Sequence, residues 1–166
     1  MAVNSKAKGD TYERRIAKKL TEWTGLKFER VPASGGLHWR EDNRVYGDIV
    51  TNDPDFPFVI ECKCREEWNM DSLINGSKKV EKWWQQVTAD AEATGKQPMV
   101  IFSRNRQPDY IMMRLEDYDD DILITSGQYP NISMYVFRMD IAICGEPLTV
   151  MKLDDFINRF NIGFKS

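Results

Sequence analysis

The stretch Gly47-Asp48-Ile49-Val50-Thr51-Asn52-Asp53-Pro54-Asp55-Phe56-Pro57-Phe58-Val59-Ile60-Glu61-Cys62-Lys63-Cys64-Arg65 holds two apolar runs joined by turn residues. Tyr46–Thr51 and Phe58–Arg65 read as strands, and the Asn-Asp-Pro-Asp-Phe-Pro segment between them as a turn, so the pair forms a hairpin. Side chains alternate along a strand. Glu61 and Lys63 therefore project from one face, and Ile60, Cys62 and Cys64 from the other. Asp48, thirteen residues before Glu61, lies on the neighbouring strand. Pairing can bring the three charged side chains together. A solvated outer face would produce the same alternation. Against that, Asp48 runs into Ile49-Val50, and Phe58-Val59-Ile60 is too apolar for an exposed edge. Charges interrupting such runs mark a cleft.

Hydrolysis of a phosphodiester needs a divalent cation, an attacking water and a stabiliser of developing charge. Asp48 and Glu61 offer hard oxygen ligands suited to Mg²⁺ or Mn²⁺. The backbone carbonyl of Cys62 can add another. Lys63 can orient or deprotonate the water, or neutralise the phosphate.

Working outward, Tyr12, Ile16, Leu20 and Trp23 recur at spacings of four, four and three, which predicts a helix from Asp10 to Trp23 closed by Gly25. Residues 1–8 read as a loose basic arm. Lys27–Val31 reads as a short strand, followed by a Gly- and Pro-containing loop. A loop spans Asn69–Gly76. Val80, Trp83, Trp84, Val87 and Ala91 form the apolar stripe of a helix over Ser77–Thr94. Strands follow at 99–103 and 110–115. The last third alternates short apolar stretches (122–125, 134–139) with turns and ends in a helix from Leu153 to Phe160. Segment 111–118 (IMMRLEDY) echoes 149–156 (TVMKLDDF), a likeness of two strand ends. The pattern is α/β, one domain over 1–166, with 119–166 as a C-terminal extension of it.

The spacing of Gly47-Asp48-Ile49-Val50 and Glu61-Cys62-Lys63 resembles the PD-(D/E)XK nuclease motif, with Gly47 where the family name has Pro. Upstream, KGDTYER (8–14) and RVPASG (30–35) are similar to Holliday junction resolvases of archaeal and phage type. The resemblance covers about residues 8–118. It implies a restriction-endonuclease-like fold, a central mixed sheet of about four or five strands flanked by helices. It also implies a metal-dependent DNA endonuclease working as a homodimer on four-way junctions. Glu13 would complete the metal site with Asp48 and Glu61, and Ser34 would act at or near it. Gln86 is the better match to the family's helix glutamine, with Gln85 the alternative. Another structure-specific endonuclease of the same fold, or an inactive DNA-binding assembly protein, stands as the alternative.

A net charge of −3 and a pI near 5.3 are unusual for a DNA-binding protein, but phosphate contacts need only a local basic patch. Lys6, Lys8, Arg14, Arg15, Arg104 and Arg106 are candidates for it. Lone His38 in a polar loop reads as neither ligand nor base. Trp39 and Arg40 beside it could stack on a base. The acidic run 116–121 would repel DNA. Cys62 and Cys64 are one residue apart, too close for the usual zinc spacing, and an odd count of three argues against a disulfide framework. No run is long and apolar enough to cross a membrane, and residues 1–10 lack the apolar stretch of a signal peptide. The expected location is the cytosol, with a phage or prophage origin.

Overall fold

A computed structural model describes residues 5–31, 45–117 and 138–159. The elements run α1 (Ser5–Thr24), β1 (Phe28–Arg30), β2 (Ile49–Thr51), β3 (Phe58–Cys64), α2 (Met70–Ile74), α3 (Lys78–Thr94), β4 (Gln97–Ser103), β5 (Tyr110–Arg114), β6 (Arg138–Ile143), β7 (Glu146–Lys152) and α4 (Leu153–Arg159).

The strands form one seven-stranded sheet in the order β1-β2-β3-β4-β5-β7-β6. β3 and β4 pair in parallel, and the other neighbours are antiparallel. The sheet is mixed and flanked by helices, with more strands than the four or five expected. The surplus comes from β6 and β7, which add to the β5 edge. They turn through Cys144 and Gly145, both at positive φ (54° and 81°), the twist a two-residue hairpin needs.

Each face of the sheet buries its own core. Tyr12, Ile16 and Leu20 of α1 and Phe156 of α4 cover Ile60, Cys62, Ile101 and Ile111. Val80, Trp83, Trp84 and Val87 of α3 cover Val59, Val100, Phe102 and Met112. Strand alternation assigns each residue to its layer. Cys62 thus packs under α1, and its thiol is free.

Several sequence expectations shift. α1 begins at Ser5, so Ser5–Lys8 is helix and not loose arm. Helix formers fill that turn, Thr11 Oγ1 donates to the Ala7 carbonyl (2.8 Å), and Lys8 pairs with Glu66 across the chain (2.5 Å). β2 is shorter than Tyr46–Thr51, because Gly47 stands at φ +78° and breaks the extended run. The Asn69–Gly76 loop contains α2, nucleated by a reciprocal cap between Asn69 and Ser72. Of the 134–139 stretch, Arg138 and Met139 belong to β6, and residues 134–137 lie outside the described residues. The echoing segments 111–118 and 149–156 hold adjacent strands, with Ile111 opposite Met151. Segment 122–125 and the flank 160–166 lie outside the described residues.

Candidate active site

β3 carries the site because it sits inside the sheet, between β2 and β4. Glu61 and Lys63 point toward α3, as Val59 does. That face is covered: Glu61 is only 2% exposed, which removes the solvated-face explanation. A buried carboxylate must find partners. Glu61 Oε1 accepts from Gln86 Nε2 of α3 (2.7 Å) and from Lys63 Nζ. Lys63 Nζ also donates to Gln86 Oε1 (3.2 Å). The three side chains close a ring in which each touches the other two. Gln85, on the next helix position, turns away toward Cys144 Sγ (3.7 Å).

Asp48 is fixed by its backbone and its carboxylate together. Its N–H donates to the Ile60 carbonyl (2.8 Å), and its own carbonyl accepts from Val31 N–H (2.9 Å). Its Oδ2 accepts the Cys62 N–H (2.8 Å). In a strand the N–H and C=O of one residue point to the same edge. The Cys62 carbonyl therefore also faces the β2 side, where Asp48 lies.

Gly47 explains the departure from a Pro at this position. A Cβ there would lie 2.6 Å from the Ile60 carbonyl oxygen, on a backbone at φ +78°. Proline fixes φ near −65° and lacks the N–H, whereas Gly47 N–H faces Asp90 Oδ2 (3.3 Å).

Glu13 approaches from α1, and its carboxylate is held by Arg30 Nε of β1. The same guanidinium reaches Asp10 Oδ1. Arg30 was missed as a site residue because a charge on a short strand resembles solvated surface. The signal for it is its place at the head of RVPASG, within reach of the helix acids.

The electrostatics join these groups. Burial, and then the neighbouring Asp48 charge, raise the Glu61 carboxyl to about 7, against the pull of Lys63. Burial also raises Glu13, with Arg30 opposing and Asp48 adding to the rise. Asp48, Glu61 and Glu13 thus form one field of negative charge. The Glu61 shift predicts a pH dependence. Its folded value lies above its ordinary 4.5, so deprotonation penalises the folded state. The penalty is absent below about pH 4.5 and grows as pH rises through 7, to about 3 kcal/mol. Denaturation of the metal-free protein should show stability falling over that window, and Glu61→Gln should flatten the fall. An unchanged slope in the variant would contradict the assignment.

Among the described residues, no group of three or more His, Cys, Asp or Glu side chains converges to hold a metal as it stands. The reason is visible in the pairings: Glu61 is drawn to Lys63 and Gln86, and Glu13 to Arg30. The donor chemistry nevertheless suits a hard divalent cation. Asp48 and Glu61 offer two hard carboxylate oxygens close to each other, and the Cys62 carbonyl faces the Asp48 side.

Ser34, His38, Trp39 and Arg40 lie outside the described residues. Of the basic candidates, Arg15 closes both Nη atoms on Asp109 (2.8 and 2.7 Å). Lys8 meets Glu66, and Arg104 lies over the Trp68 ring (5.7 Å). Lys6, Arg14 and Arg106 are exposed.

Protein D14 of Escherichia phage T5 is 35% identical over 111 residues, which is 64% of this chain and 68% of that protein. The structure of Hjc, a Holliday junction resolvase from Archaeoglobus fulgidus, overlaps 62% of this chain and 74% of its own, at 20% identity and a TM-score of 0.40. Residues 4–163 match the model of the family described as "Phage putative PDDEXK endonuclease", and the chain belongs to that family.

Proposed function

We propose that this protein is a divalent-metal-dependent endodeoxyribonuclease that cuts branched DNA, with a four-way junction as its substrate. The observation that carries the reading is the buried Glu61, bonded to Lys63 and Gln86 beside Asp48. Burying a carboxylate beside a second one costs stability, and a hydrolytic site gains from that arrangement. Membership of a PDDEXK endonuclease family supports the same chemistry. The branched substrate rests on the resemblance of 8–14 and 30–35 to junction resolvases.

Asp48, Glu61 and the Cys62 carbonyl would hold Mg²⁺ or Mn²⁺, with Glu13 supporting them from α1. When bound, the cation supplies Lewis acidity toward the phosphoryl oxygen and the water. Lys63 offers an ammonium group to orient the water or to neutralise the scissile phosphate. Gln86 fixes Lys63 and Glu61 relative to each other, donating to one and accepting from the other. Ser34 takes its place beside the site by resemblance alone. A four-way junction presents two strands for cutting, so a symmetric homodimer is the fitting assembly. No described helix is long and apolar enough to cross a membrane.

The test is incubation of an end-labelled four-way junction with Mg²⁺, alongside a flap and a linear duplex of the same sequence. Paired symmetric nicks in the junction support resolution. Cuts confined to flap or linear DNA point to another structure-specific endonuclease. Binding without any cut in Mg²⁺ or Mn²⁺ points to an assembly protein.

A further inference from the structure

On the opposite side of the sheet from Glu61, a cavity of about 600 Å³ opens between α1 and the β4–β5 loop. Lys8, Arg15, Arg104 and Arg106 all line it. Its floor includes Cys64, the residue after Lys63, so the cavity and the Glu61–Lys63 ring share the C-terminal end of β3 and face opposite ways. We propose that this cavity is a second DNA contact, binding a backbone phosphate away from the bond that is cut. The proposal rests on the nuclease reading and extends it.

The charge balance favours an anion. Glu66 meets Lys8, and Asp109 takes Arg15 and Lys19. Arg104 stands near enough to Glu66 to help lower its carboxyl, after Lys8 and the Asn105 N–H, and Arg106 forms no ion pair among the described residues, so the lining carries more positive than negative charge. Arg104 is preorganised: its guanidinium lies 5.7 Å from the Trp68 ring centroid, and its Nη1 donates to the Trp68 carbonyl (3.3 Å). A planar fork held this way suits a phosphate. The loop that carries both arginines is pinned as well. Asn105 N–H donates to Glu66 (3.1 Å), Gln107 N–H donates to the Arg104 carbonyl (3.2 Å), and Ser103 Oγ bonds within the same turn.

Arg106 adds a separate indication. It is a non-glycine residue at φ +60°, a conformation that disfavours long side chains and tolerates Asn. Its side chain is exposed, with no core to hold it there. Strain kept for an exposed arginine fits a ligand contact.

The test uses an Asp48→Asn background, so that a labelled duplex is bound without being cut. Arg106→Asn should hold or raise the melting temperature, because the strain is relieved. It should also weaken binding about tenfold and reduce the slope of log affinity against log salt by roughly one. Lys18→Gln, which removes an exposed charge on α1 outside the cavity, serves as the control and should leave that slope unchanged. Arg106→Asn matching Lys18→Gln in affinity and slope overturns the cavity proposal and leaves the nuclease intact. Failure of the wild-type protein to bind or cut any DNA overturns both.

Discussion

Asp48→Asn is expected to abolish cleavage, by roughly a thousandfold or more, while leaving DNA binding in place. The size follows from what the oxygen does. In the proposed metal site Asp48 and Glu61 are the main carboxylate ligands, with Glu13 in support, and an amide is a far weaker ligand for Mg²⁺ or Mn²⁺. The substitution is nearly isosteric, and the Asn carbonyl can still accept the Cys62 N–H that Asp48 Oδ2 accepts at 2.8 Å. The β2–β3 junction should therefore survive. One negative charge fewer also removes part of what raises Glu61, so the folded protein should be no less stable near neutral pH. Single-turnover cleavage and fluorescence anisotropy on the same junction provide the readings. Cleavage at the wild-type rate would remove Asp48 from the site.

The second large effect is structural. Gly47→Ala should destabilise the protein by about 3 kcal/mol, a fall in melting temperature on the order of 10 °C. A Cβ at Gly47 would sit 2.6 Å from the Ile60 carbonyl oxygen, which is backbone and part of the sheet. It cannot rotate aside as a side chain would. The positive φ adds its own cost. Relief requires β2 to move away from β3, and Asp48 moves with it. Thermal melts measure the first consequence. The second appears as cleavage lost at temperatures where the variant is still folded. A variant with wild-type stability and rate would mean that the strand junction is more pliable than drawn.

The strand that carries the candidate site was legible because it obeys a simple period. Glu61 and Lys63 alternate with Ile60 and Cys62, and no tertiary knowledge is needed to place the pair on one face. The apolar run Phe58-Val59-Ile60 argued for a cleft over a wet face, but what covers that face could not be read locally. It is α3, whose stripe of Val80, Trp83, Trp84 and Val87 was clear, yet whose contact with β3 is long-range. Gln86 lies at the margin of that stripe, so only the assembled sheet separates it from Gln85. Other features left weaker traces. α2 is five residues long, too short for periodicity to register. The β6–β7 turn uses Cys144-Gly145 in place of the Asn-Gly that signals a tight hairpin. The place of Glu13 beside Arg30 depends on α1 and β1 meeting, which spacing along the chain does not encode.

The parallel pairing of β3 with β4 has a consequence for how the protein is made. No short turn can join two parallel strands, so the chain between Cys64 and Gln97 must pass through α2 and α3 before β4 can dock. Glu61 meets Gln86 only once α3 lies on the sheet, and α3 packs largely against β4. A polypeptide still emerging from the ribosome, with β4 inside the exit tunnel, has its acids and its lysine but no framework to hold them together. The ring of Glu61, Lys63 and Gln86 is therefore one of the last features of the fold to close as the chain is made.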